Sequence, residues 1–167
     1  MMDLDFRDEY FEKLSRISRH GFLKEMTNNA GVTAVNFVKK RFVEKNWKDQ
    51  GTQPWEARKR KGRGSLLTVS GRLKRSIRKI ASGNYFVYIG TDVPYAKVHN
   101  EGGETSKTVN VRSHQRKRNG RSHNVKLHTR TSHFKVPKRQ FLGDSQYLAR
   151  GLELMLKQAV ENELNQS

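Results

Sequence analysis

Three features of the 167-residue sequence predict an α+β fold. Apolar residues at three- and four-residue steps run from Phe22 to Trp47, a second such run extends from Tyr147 to Leu164, and short alternating strands lie between them. The expected arrangement is a small antiparallel sheet packed on a long N-terminal helix and a C-terminal helix, with an extended basic β-hairpin arm. One domain over residues 1–167 accounts for a chain of this length, with the arm inserted at 104–136.

In chain order, Leu4, Phe6, Tyr10, Phe11, Leu14 and Ile17 predict a short strand leading into a helix, with Gly21 as the break. Leu23, Met26, Ala30, Ala34, Phe37 and Arg41 then form one face of the long helix, widened by Val35, Val38 and Phe42. Gly31 in its middle costs about 1 kcal/mol relative to Ala and marks a place of close packing. Residues 48–65, with Gly51, Pro54-Trp55 and the basic run from Arg58 to Gly64, predict a loop. Ser70 suits the N-cap of a short helix whose Leu73 and Ile77, four apart, share a face. Ile80 leads on to the strand Tyr85–Ile89, where β-branched and aromatic residues alternate.

Gly90 to Pro94 turns out of that strand, and a short segment from Pro94 to His99 ends at Glu101-Gly102-Gly103. Two glycines there permit a positive φ that a side chain would resist. The result is a fixed corner around which the chain is organised. Its residues are Tyr95, Ala96, His99, Gly102 and Gly103, the first four expected to be buried against the long helix.

Residues 104–139 carry eleven Lys or Arg against one acid, Glu104, and four of the six histidines. Val109 and Val111 alternate with polar residues, as do Val125 and Leu127, and Asn119-Gly120 between them is the strongest short hairpin-turn signal. A basic hairpin arm follows, mobile at its tip, because so few apolar residues offset little of the entropy of ordering. Beyond Val136–Gly143, the stripe from Tyr147 to Leu164 predicts a helix of roughly 20 residues.

The formal charge of +18 with only 34% hydrophobic residues predicts an acidic partner, either nucleic acid or an electronegative protein surface. There is no cysteine, hence no disulfide framework, thiolate metal site or thiol nucleophile. No apolar run reaches transmembrane length, and Met-Met-Asp-Leu-Asp lacks the pattern of a secretory signal, so a chain made in a cytoplasm and without a membrane partner is expected.

Chemistry is poorly supported. His99-Asn100-Glu101 offers one imidazole beside one carboxylate, without the second histidine of a metal helix, and reads as a structural corner. His114, His123, His128 and His133 could meet across a hairpin, but their Lys and Arg neighbours repel a cation. No hydrolytic triad is visible, and Gly62-Arg63-Gly64-Ser65 lacks the spacing of a phosphate-cradling loop. No catalytic, metal or cofactor-binding residue is expected. For the arm three readings stay open: a solvated charged face, a nucleic-acid contact, or docking on an acidic protein. The candidate contacts are Arg112, Arg116, Lys117, Arg118 and Arg121, and with Phe134 the one aromatic of the arm, base stacking is not expected.

Four pieces in order carry a family resemblance: Leu67–Ile77 with its Ser-Gly-Arg-Leu-Lys-Arg-Ser-Ile core, Val87-Tyr88-Ile89-Gly90-Thr91, Tyr95–Gly103, and Val136-Pro137-Lys138-Arg139-Gln140-Phe141-Leu142-Gly143. Together, over roughly residues 20 to 165, they resemble tailed-bacteriophage virion morphogenesis proteins, the tail-completion or neck proteins of Mu-type and HK97-type phages. The resemblance implies a structural virion protein, not an enzyme, that assembles as a homo-oligomeric ring at the head–tail junction among other neck, connector and tail proteins. Asn100 stands where such proteins often have Gln or Glu, and 104–136 falls where they vary most, so the arm's role does not carry over. A free-standing basic nucleic-acid-binding protein is the competing reading.

Overall fold

The computed structural model describes residues 8–58 and 62–165. Its axis is a 25-residue helix, α2 (His20–Glu44), preceded by α1 (Asp8–Ser18). The break between them falls at Arg19, and Gly21, expected to make it, lies inside α2. The strand expected from Leu4 and Phe6 lies outside the described residues. In α2 the predicted face is buried where it matters most: Phe37, Val38, Arg41 and Phe42 are all inside.

α2 stops before Trp47. Lys45 takes the left-handed conformation (φ 56°), and its N–H donates to the Arg41 carbonyl at 2.7 Å. Trp47 therefore sits not on the helix but on β1 (Asn46–Lys48), which pairs antiparallel with β2 (Thr52–Pro54) inside the stretch expected to be loop. It is buried all the same, edge-on to Phe37 with ring centroids 5.7 Å apart.

The short helix α3 (Arg72–Ser76) begins two residues after Ser70, the expected cap. Gly71 holds the cap position at φ 70°, while the Ser70 hydroxyl accepts the Arg72 N–H at 3.3 Å. Leu73 and Ile77 share the buried face as expected. Next come β3 (Arg78–Ser82) and β4 (Val87–Gly90), an antiparallel hairpin lying on the N-terminal half of α2. Gly31 explains how they approach so closely. A Cβ there would sit 2.7 Å from the Lys79 Cδ and 2.9 Å from the Val87 Cγ2.

α4 (Ala96–Glu101) forms the corner, β5 (Gly103–Val111) to β8 (His128–Val136) form the arm, and α5 (Gln146–Asn165) closes the chain along α1 and α2. The start of α5 is tied to the end of β1. Ser145 donates its hydroxyl to the Lys48 carbonyl at 2.7 Å and accepts the Leu148 N–H, and Asp49 accepts the Gln146 N–H at 2.7 Å. The fold is α+β, its strands among the described residues paired as four two-stranded antiparallel ladders: β1–β2, β3–β4, β5–β8 and β6–β7 (His114–Arg118 with Arg121–Val125).

The core gathers distant parts of the chain. Phe42 of α2 contacts Trp55 (centroids 5.7 Å) and Phe141 (4.9 Å), and Leu73, Ile77, Val93 and Ala96 belong to the same buried cluster. Burying side chains of this size is worth about 1.5–3 kcal/mol each. Arg41 is buried among them, with its charge satisfied by the Asn46 carboxamide oxygen (2.6 Å) and Glu44 (3.0 Å), its Nε donating to the Phe37 carbonyl (3.3 Å), and its guanidinium over the Phe37 ring.

Candidate functional site

The corner begins where β4 ends. The Thr91 hydroxyl lies 2.6 Å from that of Ser76 at the end of α3 and accepts the Val93 N–H, which turns the chain toward α4. Val93 and Ala96 point into the core beside Phe141. What closes the corner is the segment after the arm. The Asn100 carboxamide oxygen accepts the N–H groups of both Phe141 (2.9 Å) and Leu142 (2.8 Å), and its NH2 donates to the Leu142 carbonyl (3.0 Å). The Arg139 N–H donates to the His99 carbonyl at 2.8 Å. From the other side, the Trp55 indole N–H donates to the Gln140 carbonyl (2.8 Å) and Arg139 Nε to the Glu56 carbonyl (3.1 Å). Residues 139–142 are thus stitched from two directions.

The expected corner residues divide under this geometry. Ala96 is buried, His99 and Gly102 are half-buried, and Gly103 is exposed at the start of β5. Tyr95 is 40% exposed, contrary to expectation, and lies edge-on to His99 at 5.8 Å. The corner's hydrogen bonds run to 139–142 rather than to the long helix, which meets it through the shared core. Gly102 has φ +78°, and a Cβ there would lie 2.9 Å from the Lys138 backbone nitrogen, so this position demands glycine twice over. His99 Nδ1 is buried without a hydrogen-bond partner, and burial, helped by the nearby Arg139 charge, pushes the imidazole below its usual pKa. Burial also lowers Arg139, which Glu56 opposes. Asn100, Trp55 and Arg139 were missed in the sequence as parts of the site. The one available signal was Asn100, whose amide can replace a peptide group's bonds in both senses.

The arm is a ribbon in two lengths. β5 and β8 pair through nine rungs, from Gly103 with Val136 to Val111 with His128. β6 and β7 pair through five, from His114 with Val125 to Arg118 with Arg121. Pairing runs right up to the tip. The tip is the two-residue turn Asn119-Gly120, both residues at positive φ (52° and 75°), as the Asn-Gly signal requires. Between the two lengths lie Arg112-Ser113 and Lys126-Leu127, outside both ladders. The joint is nearly symmetric: each ladder ends there on a Val–His rung, and His114 and His128 each donate Nδ1–H to the carbonyl two residues back, at 2.9 Å.

The pairing register sorts the candidate basic residues. Alternate residues of a strand, and residues directly opposite, share a face. Arg116, Arg118 and Arg121 therefore fall on one face of the tip together with His114, His123 and Val125. Lys117 falls on the opposite face with Gln115, Ser122 and Asn124, and Arg112 sits in the joint. The four arm histidines occupy four different rungs. Among the described residues no group of three or more His, Asp or Glu converges as metal ligands would, and no helix is long and apolar enough to cross a membrane.

The sequence profile of the phage virion morphogenesis family matches residues 8–161. No curated protein and no solved structure matches the chain. The four sequence pieces that carried the resemblance all meet in one place, through Leu73 and Ile77, Ile89, Ala96, and Phe141 with Leu142.

Proposed function

Because the chain belongs to the phage virion morphogenesis family, we propose that it is a structural subunit of the head–tail junction. In this reading a ring of copies joins tail to head, in contact with neighbouring neck, connector and tail proteins. Residues 1–167 act as one tail-completion-like domain and 104–136 as its inserted arm. The observation that carries the reading is the arm. It is a ribbon of nine and five rungs, exposed along nearly its whole length and joined to the body where β5 packs on α4. A structure that spends so much chain on a projecting ribbon, anchored by the multiply bonded corner, is built to reach something outside itself. The body agrees: Ile80, Phe86 and Tyr88 are exposed apolar side chains on the β3–β4 hairpin, a surface suited to a neighbouring protein. A role in building particles, rather than catalysis, fits both.

The +18 charge opposes self-association, so the isolated protein is a monomer that enters a ring only with its partners present. The test is assembly in the absence and presence of the protein, followed by imaging of the particles. Unjoined heads and tails without it, and a ring of its density at the junction with it, support the reading. Joined, infectious particles lacking the protein overturn it, and a lone DNA-binding monomer absent from particles leaves the free-standing nucleic-acid binder in its place.

A further inference from the structure

We infer that the distal ladder of the arm, β6–β7, is a one-sided contact for the phosphates of double-stranded DNA. The partner this names for the arm rests on the proposed place at the head–tail junction. The inference begins from asymmetry. The tip has two faces of similar size, yet three of its four Arg and Lys residues, Arg116, Arg118 and Arg121, lie on one of them, along with both tip histidines. A merely solvated ladder has no reason to collect its guanidinium groups on one side. Cross-strand neighbours of like charge oppose pairing, and Arg118 stands directly opposite Arg121. The arrangement costs the free arm stability, which an anion of high charge density recovers.

Chemistry chooses between the acidic partners. Stable protein interfaces are centred on aromatic and large apolar side chains. From Arg112 to Asn124 the arm contains no Leu, Ile, Met, Phe, Tyr or Trp, and no carboxylate to set a register with a folded partner. Charge alone remains, and Arg is the side chain whose planar fork matches phosphate. The lack of aromatics also argues for duplex over single strand, which is held by base stacking. Dimensions fit as well. At about 3.3 Å per residue the five-rung ladder is about 17 Å long, and the major groove, about 12 Å wide, admits a two-stranded ribbon. The proximal ladder differs: Val109, Val111 and Phe134 share a face there with Lys107 and Arg130, so the phosphate contact is confined to the distal one.

The experiment compares the full-length chain with R116Q/R118Q/R121Q and with a body control of equal charge loss, K24Q/R63Q/R150Q, all exposed positions. Binding to a random-sequence DNA duplex is titrated from about 50 to 200 mM salt, where each phosphate contact contributes about 0.9 to the slope of log K against log salt. The tip variant should lower that slope by about 2–3, and the body control by less than 1. Equal losses from both variants, or no loss from the tip variant, overturn the inference. Polyglutamate serves as the acidic-protein probe: if the tip variant loses polyglutamate binding while its DNA slope stands, the face belongs to a protein partner instead. Far-ultraviolet circular dichroism and melting of each variant confirm that the fold persists. The slope is read on the free protein, so it stands or falls apart from particle assembly.

Discussion

Replacing Asn100 with alanine tests whether the corner is held by its carboxamide. The side chain makes three hydrogen bonds to backbone groups of Phe141 and Leu142, and Phe141 is fully buried. Alanine leaves two N–H donors and one carbonyl without partners in a site where water reaches them poorly. Each net hydrogen bond is worth about 0.5–1.5 kcal/mol, and an orphaned buried group costs about 1–3 kcal/mol. Because Asn100 is only half-buried and water can rescue part of the loss, about 2–4 kcal/mol is the expected destabilisation. For a chain of this size that lowers Tm by roughly 5–15 °C. Asn100→Asp should cost about half as much, since a carboxylate still accepts both N–H groups but sets an oxygen against the Leu142 carbonyl. Calorimetry gives the totals. Trp55 fluorescence, read in a Trp47→Phe background because Trp47 also emits, gives the location: its indole N–H bonds Gln140 within the same clamped segment, and its emission should shift to the red in Asn100→Ala. If Asn100→Ala melts within about 2 °C of the parent, or loses stability without moving the Trp55 spectrum, the carboxamide is not what closes the corner.

Gly102→Val should cost more than Gly102→Ala, and Ala itself about 1–3 kcal/mol by melting, because φ +78° and the Lys138 backbone both resist a Cβ. Gly151→Ala, in the exposed middle of α5 with nothing within 4 Å, should raise stability by about 0.5–1 kcal/mol. At Gly31→Ala the same helical gain should be cancelled or reversed by contact with Lys79 and Val87, and a rise equal to that of Gly151→Ala would show that the hairpin is not seated there. The lowered pKa of His99 makes a signed prediction. Its neutral form is the one the fold accepts, so stability is full above the unfolded value near 6.5 and declines as pH falls below it toward the folded value. His99→Gln should flatten that decline in melts across the range, and an unchanged pH profile would show that His99 takes up its proton as readily folded as unfolded.

Local chemistry was legible in the sequence, and contacts across sequence distance were not. The face of α2 followed from spacing alone, and Asn119-Gly120 announced both the turn and its positive φ, because each signal lies within a few residues of its effect. Gly102 and Gly31 were readable as backbone devices, though not what they made room for. The three-residue strands β1 and β2 were lost because Asn46-Trp47-Lys48 and Thr52-Gln53-Pro54 are too short to carry a period, and Trp47 read as the end of the long helix that in fact stops at the αL residue Lys45. Asn100 was passed over because its partners lie more than 40 residues away and are backbone groups, which leave no mark in composition. The arm shows the boundary most clearly. Its charge was plain from the sequence, but which arginines share a face depends on register. A slip of one residue between β6 and β7 would carry Arg121 and His123 across to the side of Lys117 and split the basic face in two. The two-residue Asn119-Gly120 turn fixes that register by placing Arg118 opposite Arg121. A two-residue turn thereby decides which face of the arm carries its arginines.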